Sequence, residues 1–206
     1  MVVMSIGETD PHPRPLTVED LERMPEDGSR YELVDGRLDV SPSPTSPHSL
    51  IDTRLSHVLT GQAPEDYIVL SGPGINFDAD RTHHRIPDLA VIRYEDYEAP
   101  YLTRPPVLAV EIVSPSSVFR DHHTKRVEYA KFGIESYWIV SPDADDPGVL
   151  ELRLKDGQYR ETAQVFGEAV FETDAPFPAA FVPHWLMAPD RTWRRHVYGG
   201  DAGGRS

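Results

Sequence analysis

The sequence predicts a mixed α/β domain, and three observations carry that prediction. Two short runs, 86–93 and 107–113, are apolar at almost every position, as strands covered on both faces are. Helical patterns stand on either side of them: Leu50, Ile51, Leu55, Val58 and Leu59 share one stripe, and 120–132 reads as a second helix. Turn dipeptides, Asp35-Gly36 and Asp156-Gly157, separate pairs of strand-like runs and mark hairpins. The order helix, hairpin, helix, strands, helix, strand belongs to a mixed architecture.

Residues 1–15 hold three prolines and no periodicity, and are expected to be a disordered tail. Thr17 caps a short helix over 18–24, with Glu19 and Asp20 in its first turn, where the helix dipole favours acids. After a break at 25–29, runs 31–34 and 37–40 form a hairpin around Asp35-Gly36. Ser46 caps the next helix and Pro47 opens it, and 61–66 ends it. Strands over 67–70 and 75–77 flank Gly72-Pro73-Gly74. The two central strands follow, then the helix over 120–132, stopped by Gly133. A strand over 136–140 and a hairpin of 149–154 with 158–166 complete the pattern. The domain is thus expected over 16–190, followed by a basic, flexible tail over 191–206 headed by Arg191, Arg194 and Arg195.

Composition narrows the possibilities. The 206 residues fit one domain, and 39% hydrophobic with 26% charged residues is a globular balance. The absence of cysteine excludes disulfides and thiolate zinc sites. No apolar run is long enough for a membrane span, and the N-terminus lacks the basic start and apolar core of a signal peptide, so a cytoplasmic location is expected. A net charge of −14 argues against a protein that coats nucleic acid. That acidity lies elsewhere than 81–131, where eight Lys/Arg face seven Asp/Glu.

Within this balanced segment sit the candidate site residues. Glu111 interrupts the run Val107-Leu108-Ala109-Val110-Glu111-Ile112-Val113, where a carboxylate is costly unless something pairs with it. Asp88 follows Pro87 at the head of the other central run. If the two strands are neighbours, both carboxylates can enter one cleft. Oxygen ligands of this kind suit Mg²⁺ or Mn²⁺, and Mg²⁺ with one or two carboxylates favours phosphate-ester chemistry. Lys125, on the following helix, shares its stripe with Tyr129 and Phe132 and points a cation inward.

The segments Pro87-Asp88, Glu111-Ile112-Val113-Ser114-Pro115-Ser116-Ser117, Asp121-His122-His123-Thr124-Lys125 and Phe132-Gly133-Ile134-Glu135-Ser136-Tyr137-Trp138-Ile139-Val140 resemble the Uma-type family of restriction endonucleases, within the PD-(D/E)xK nuclease superfamily. Tyr31-Glu32-Leu33-Val34-Asp35-Gly36 resembles its N-terminal signature, so the resemblance covers most of the chain. It implies a restriction-endonuclease-like fold: a mixed central β-sheet flanked by helices, here with an added N-terminal hairpin. It also implies that Asp88, Glu111 and the backbone carbonyl of Ile112 bind the metal, that Lys125 assists catalysis, and that Glu32 orients water or a second metal. The superfamily lysine usually lies two residues after the glutamate; Val113 holds that position, and Lys125 matches the relocated lysine of this family. The implied activity is a Mg²⁺-dependent DNA endonuclease, with Mn²⁺ as a substitute metal and a homodimer as one way to cut both strands.

Other readings compete. Taken alone, Asp88 reads as a turn residue after Pro87, Lys125 as the solvated partner of Asp121 four residues earlier, and Glu32 as an outward strand residue. Glu111 alone points to function, against a structural ion pair with an arginine such as Arg93. His48, near the start of the second helix, could approach the cleft, but reads more simply as a surface histidine. The pairs His83-His84 and His122-His123 point apart and chelate poorly. Ser114-Pro115-Ser116-Ser117 lacks the glycine elbow of a nucleophile. The principal alternative is a catalytically inactive nuclease fold that binds DNA or protein. A carboxylate-pair hydrolase acting on sugars has no use for Lys125.

Overall fold

Apolar alternation along the strands decides the layers. In the computed structural model, which describes residues 14–114, 117, 119–143 and 147–199, the chain opens with a one-turn helix α1 (Val18–Leu21) and the hairpin β1 (Arg30–Val34) and β2 (Arg37–Ser41). Asp35 and Gly36 both adopt positive φ, 49° and 75°, the conformation a two-residue turn of this hand requires. Then come α2 (Ser46–Gln62), β3 (Tyr67–Ser71), β4 (Ile75–Asn76), β5 (His84–Arg85), β6 (Leu89–Arg93) and β7 (Leu108–Ile112). A π-type turn, Arg120–Thr124, runs into α3 (Lys125–Phe132), which Gly133 ends in the left-handed conformation at φ 101°. Strands β8 (Ser136–Ser141), β9 (Gly148–Lys155), β10 (Gln158–Phe166), β11 (Phe171–Thr173) and β12 (Ala179–Phe181) follow, then α4 (Pro183–Met187) and α5 (Trp193–His196).

Six strands make the central sheet, in the order β10-β9-β8-β7-β6-β3. It is mixed: β7 and β8 run parallel, and every other neighbouring pair is antiparallel. The parallel pair follows from its connection, since a strand can return parallel only over a long crossover, and α3 is that crossover. A second sheet, β2-β1-β5-β4, carries the N-terminal hairpin.

Strand alternation sends Leu108, Val110 and Ile112 of β7 into the larger core. There they meet four of the five residues of the predicted α2 stripe (Ile51, Leu55, Val58 and Leu59, without Leu50), Trp138, Phe171 and Phe181. Ala109 and Val113 enter a second core with Tyr129 of α3, Tyr137 and Ile139. Glu111 shares the side of Ala109 and Val113, so the packing of α3 decides its surroundings. Trp138 is fully buried and stacks edge-on against Phe171 at 5.0 Å. Trp138→Ala is therefore expected to cost about 3–5 kcal/mol in a denaturant titration, by lost burial plus the cavity left behind. A loss under about 1 kcal/mol would contradict this packing.

The structure departs from expectation at several places. Strands β5, β11 and β12 have two or three residues, too few for a period to register. Thr45, not Ser46, occupies the cap position of α2. The C-terminal tail does not begin at 191: Trp193 packs on the larger core, and Val197 is fully buried, with its carbonyl accepting from the Val182 N–H at 2.7 Å. Indole and isopropyl groups in that stretch supply the apolar surface that holds it. At the other end Arg14 pairs with Asp20, and Leu16 N–H donates to the Gly36 carbonyl at 2.9 Å. Residues 1–13 and 200–206 lie outside the described residues.

Candidate active site

β6 and β7 are antiparallel neighbours, with Leu89 opposite Val110. That pairing brings Asp88, one residue before β6, beside Ile112: its Oδ2 accepts the Ile112 N–H at 2.7 Å. Asp88 and Glu111, each 3% exposed, line one cavity of about 290 Å³. Glu32 reaches the cavity from β1 and Lys125 from α3. The four side chains singled out from the sequence thus meet in one place.

Their neighbours set their charge. Lys125, 2% exposed, donates to Glu111 Oε1 at 2.7 Å, and its Nζ also lies 3.6 Å from Glu32 and 3.8 Å from Asp121. Burial disfavours its charge, but Glu111, Glu32 and Asp121 overcome it and hold its pKa above the ordinary lysine value. Tyr129 donates a second hydrogen bond to the same Glu111 oxygen at 2.5 Å. Burial of Glu111, with Asp88, Asp121 and Glu32 nearby, outweighs Lys125 and pushes its pKa up to about 8. Asp88 goes the other way: against burial, the hydrogen bond with His48 and the charge of Arg30 hold its pKa near about 2. Glu32 also stays below its ordinary value despite burial, because Lys125, Arg85 and the Ile86 N–H stabilise its anion. Arg85, buried on the small sheet, fixes Glu32 while bidentate to Glu128 at 2.8 and 2.9 Å.

Several competing readings give way to this geometry. Asp121 does approach Lys125, but both are buried, so the pair is not a solvated helix contact. Arg93 points to Tyr67 rather than to Glu111. His48 is not a surface histidine: its Nε2 lies 3.1 Å from Asp88 Oδ2. Arg30, donating to Asp88 Oδ1 at 2.6 Å, and Arg120 also line the cavity and were not singled out from the sequence. Asp121 was read only as a helical partner. The one available signal is its spacing from Lys125; His48 is marked only by its place near the start of α2 and Arg30 by nothing, because their approach depends on how β1 and α2 dock. Pro115 and Ser116 lie outside the described residues.

The donor set fits a divalent cation. Asp88 and Glu111 share one cavity with Glu32 and Asp121, and Asp121 Oδ1 is buried without a hydrogen-bond partner among the described residues. Burial is the main reason the Glu111 pKa is pushed up, and the neighbouring carboxylates Asp88, Asp121 and Glu32 add to it. Among the described residues no three His, Cys, Asp or Glu side chains converge as a ligand cage. Oxygen donors of this kind suit a divalent cation that keeps water in its remaining positions.

Residues 18–193 match the family described as "Uma2: Putative restriction endonuclease". The chain belongs to the Uma2 family. Membership places this Uma2 protein among nucleases, whose substrate is nucleic acid. A crystal structure of a "putative nuclease belonging to DUF820" from Anabaena variabilis shares the Uma2 protein's fold, with a TM-score of 0.59. The two are 19% identical over 78% of this chain and 90% of that one. No curated protein matches the sequence. Among the described residues of the Uma2 chain, no helix is long and apolar enough to cross a membrane.

Proposed function

We propose that this protein is a Mg²⁺-dependent DNA endonuclease that hydrolyses phosphodiester bonds, with Mn²⁺ able to replace Mg²⁺. One observation carries the reading: Asp88 and Glu111, from neighbouring strands, line the same cavity, and Lys125 lies 2.7 Å from Glu111 within it. Asp88, Glu111 and the Ile112 carbonyl would hold the metal. When bound, Mg²⁺ polarises a phosphate and acidifies a water.

The protein's own groups account for the rest. Lys125 keeps its proton among carboxylates and so presents a fixed positive charge where the pentavalent phosphate becomes more negative. It also donates to the attacking water and orients it. Glu32, clamped by Arg85 and the Ile86 N–H, keeps Lys125 charged and aimed. Tyr129 fixes the Glu111 carboxyl through Oε1. Burial of Glu32, Asp88, Glu111 and Lys125 strengthens each of these charge interactions.

The test is cleavage of plasmid and linear DNA in Mg²⁺, against the same assay in EDTA and with Asp88→Ala. Cleavage is expected only with metal, and at least about a hundredfold slower in the variant. Equal cutting by Asp88→Ala would remove this site from the reaction. The net charge of −14 favours a second reading, a non-catalytic module. DNA or protein binding without cleavage in any divalent metal would select it.

A further inference from the structure

The two oxygens of Asp88 are engaged differently. Oδ2 accepts the Ile112 N–H at 2.7 Å and faces His48 Nε2 at 3.1 Å, both contacts built into the frame of the fold. Oδ1 faces only Arg30 among the described residues, with Nη1 at 2.6 Å. A cation coordinated by Asp88 therefore needs the oxygen that the Arg30 guanidinium now takes. Two positive charges on one buried carboxylate oxygen repel strongly.

Arg30 differs from the other cations at this centre in its freedom. The side chains of Lys125 and Arg85 are 3% and 1% exposed and each is held by several carboxylates. The Arg30 side chain is 29% exposed, and its other hydrogen bond, to the Ile86 carbonyl, is long at 3.4 Å. It stands two residues before Glu32 on the same face of β1, so it stays beside the cavity when it leaves Asp88. The cavity wall carries four carboxylates, Glu32, Asp88, Glu111 and Asp121, against three cationic side chains, Arg30, Arg120 and Lys125. A divalent cation reverses that balance to net positive, and a freed arginine adds a planar fork of donors that matches phosphate oxygens.

We infer that Arg30 is the exchangeable counter-ion of Asp88: the divalent cation displaces it, and the released guanidinium then binds a backbone phosphate of the nucleic acid. The exchange rests on the metal-dependent reading above. It makes metal and substrate binding cooperative, because the arm that binds phosphate is free only after the metal has entered. Arg30 works in turn as a placeholder on the Asp88 oxygen that the metal needs and as a substrate contact.

Two titrations test it. Calorimetry of Mn²⁺ into wild type, Arg30→Gln and Asp88→Asn, without DNA, reads the competition directly. Arg30→Gln is expected to bind Mn²⁺ about tenfold tighter than wild type, which corresponds to about 1.4 kcal/mol, and Asp88→Asn to lose binding. Anisotropy of a labelled DNA duplex in Ca²⁺ reads the second role, with Arg30→Gln expected about tenfold weaker. A purely structural arginine gives the opposite pairing, weaker Mn²⁺ binding together with a lowered melting temperature. Mn²⁺ affinity in Arg30→Gln equal to or below that of a metal-binding wild type overturns the exchange alone. Wild type that binds no Mn²⁺ overturns the metal reading and the exchange with it. If Arg30→Gln does not fold, Arg30→Lys decides: it keeps the charge and loses the fork, so DNA affinity in Ca²⁺ should fall severalfold, and unchanged affinity rejects the phosphate role.

Discussion

Glu111→Gln should abolish metal-dependent cleavage, by about a thousandfold or more, while leaving the metal-free fold at least as stable as wild type at pH 8. Both halves follow from one carboxyl. Its charge is what a divalent cation needs, and its charge is what the buried environment resists, with its pKa pushed up to about 8. In an unfolded chain the same group titrates near about 4.3. Between those values the folded protein keeps a proton that the unfolded chain has released. Stability supplied by this group is therefore complete below about pH 4.3, declines as pH rises, and is gone above about pH 8. Glutamine keeps the shape and the hydrogen bond with Tyr129 but has no proton to lose. Denaturant titrations at pH 5 and pH 8 should show wild type losing more stability across that interval than the variant. Mg²⁺ competes with the same proton, so its affinity should rise with pH over the same interval and level off above about 8. Cutting within tenfold of wild type by Glu111→Gln would refute the assignment, and parallel stability curves would refute the proton argument.

Lys125→Met should produce the largest loss of stability at this site, about 3–5 kcal/mol. Methionine fills much of the volume, so packing changes little. What disappears is the cation that Glu111, Glu32 and Asp121 share at 2.7, 3.6 and 3.8 Å. Three carboxylates would remain together, out of water and without their central counter-charge. Two further measurements separate electrostatics from packing. Adding Glu111→Gln to Lys125→Met should recover part of the loss, which a double-mutant cycle would read as coupling between the pair. Millimolar Mg²⁺ should stabilise Lys125→Met more than wild type, because the metal restores the missing charge. A loss below about 1 kcal/mol with no coupling to Glu111 would mean that Lys125 is not the site's counter-ion. Cleavage should fall along with stability, and assays well below the variant's melting temperature keep the two effects apart.

How much of this site was visible beforehand differs from residue to residue. Glu111 was legible because its neighbours are apolar on both sides, and a carboxylate there needs a partner wherever the strand lies. Asp88 was ambiguous: a proline followed by aspartate describes many turns. Lys125 was visible through the family resemblance and a shared stripe with Tyr129, while its helical partner Asp121 suggested a surface pair. Arg30 and Arg120 carried no local signal, and His48 only its place near the start of a helix. Their roles come from contacts across 58, 40 and 81 positions of chain, to Asp88, Asp88 and Asp39.

The sequence by itself determined the mixed α/β class, most helices and longer strands, the hairpin turns, and the one carboxylate that could not sit buried without a partner. These are local matters: side-chain period, turn chemistry and the cost of burying charge all act over a few residues. Only the tertiary structure decided that β6 lies beside β7, that α3 delivers Lys125 onto Glu111, that Arg30 and His48 close over Asp88, and that Trp193 and Val197 pack on the core. Periodicity says which face of an element is buried but not against what. The choice of partner is made by packing between elements far apart in the chain, and the charge state of every group in the cavity follows from that choice.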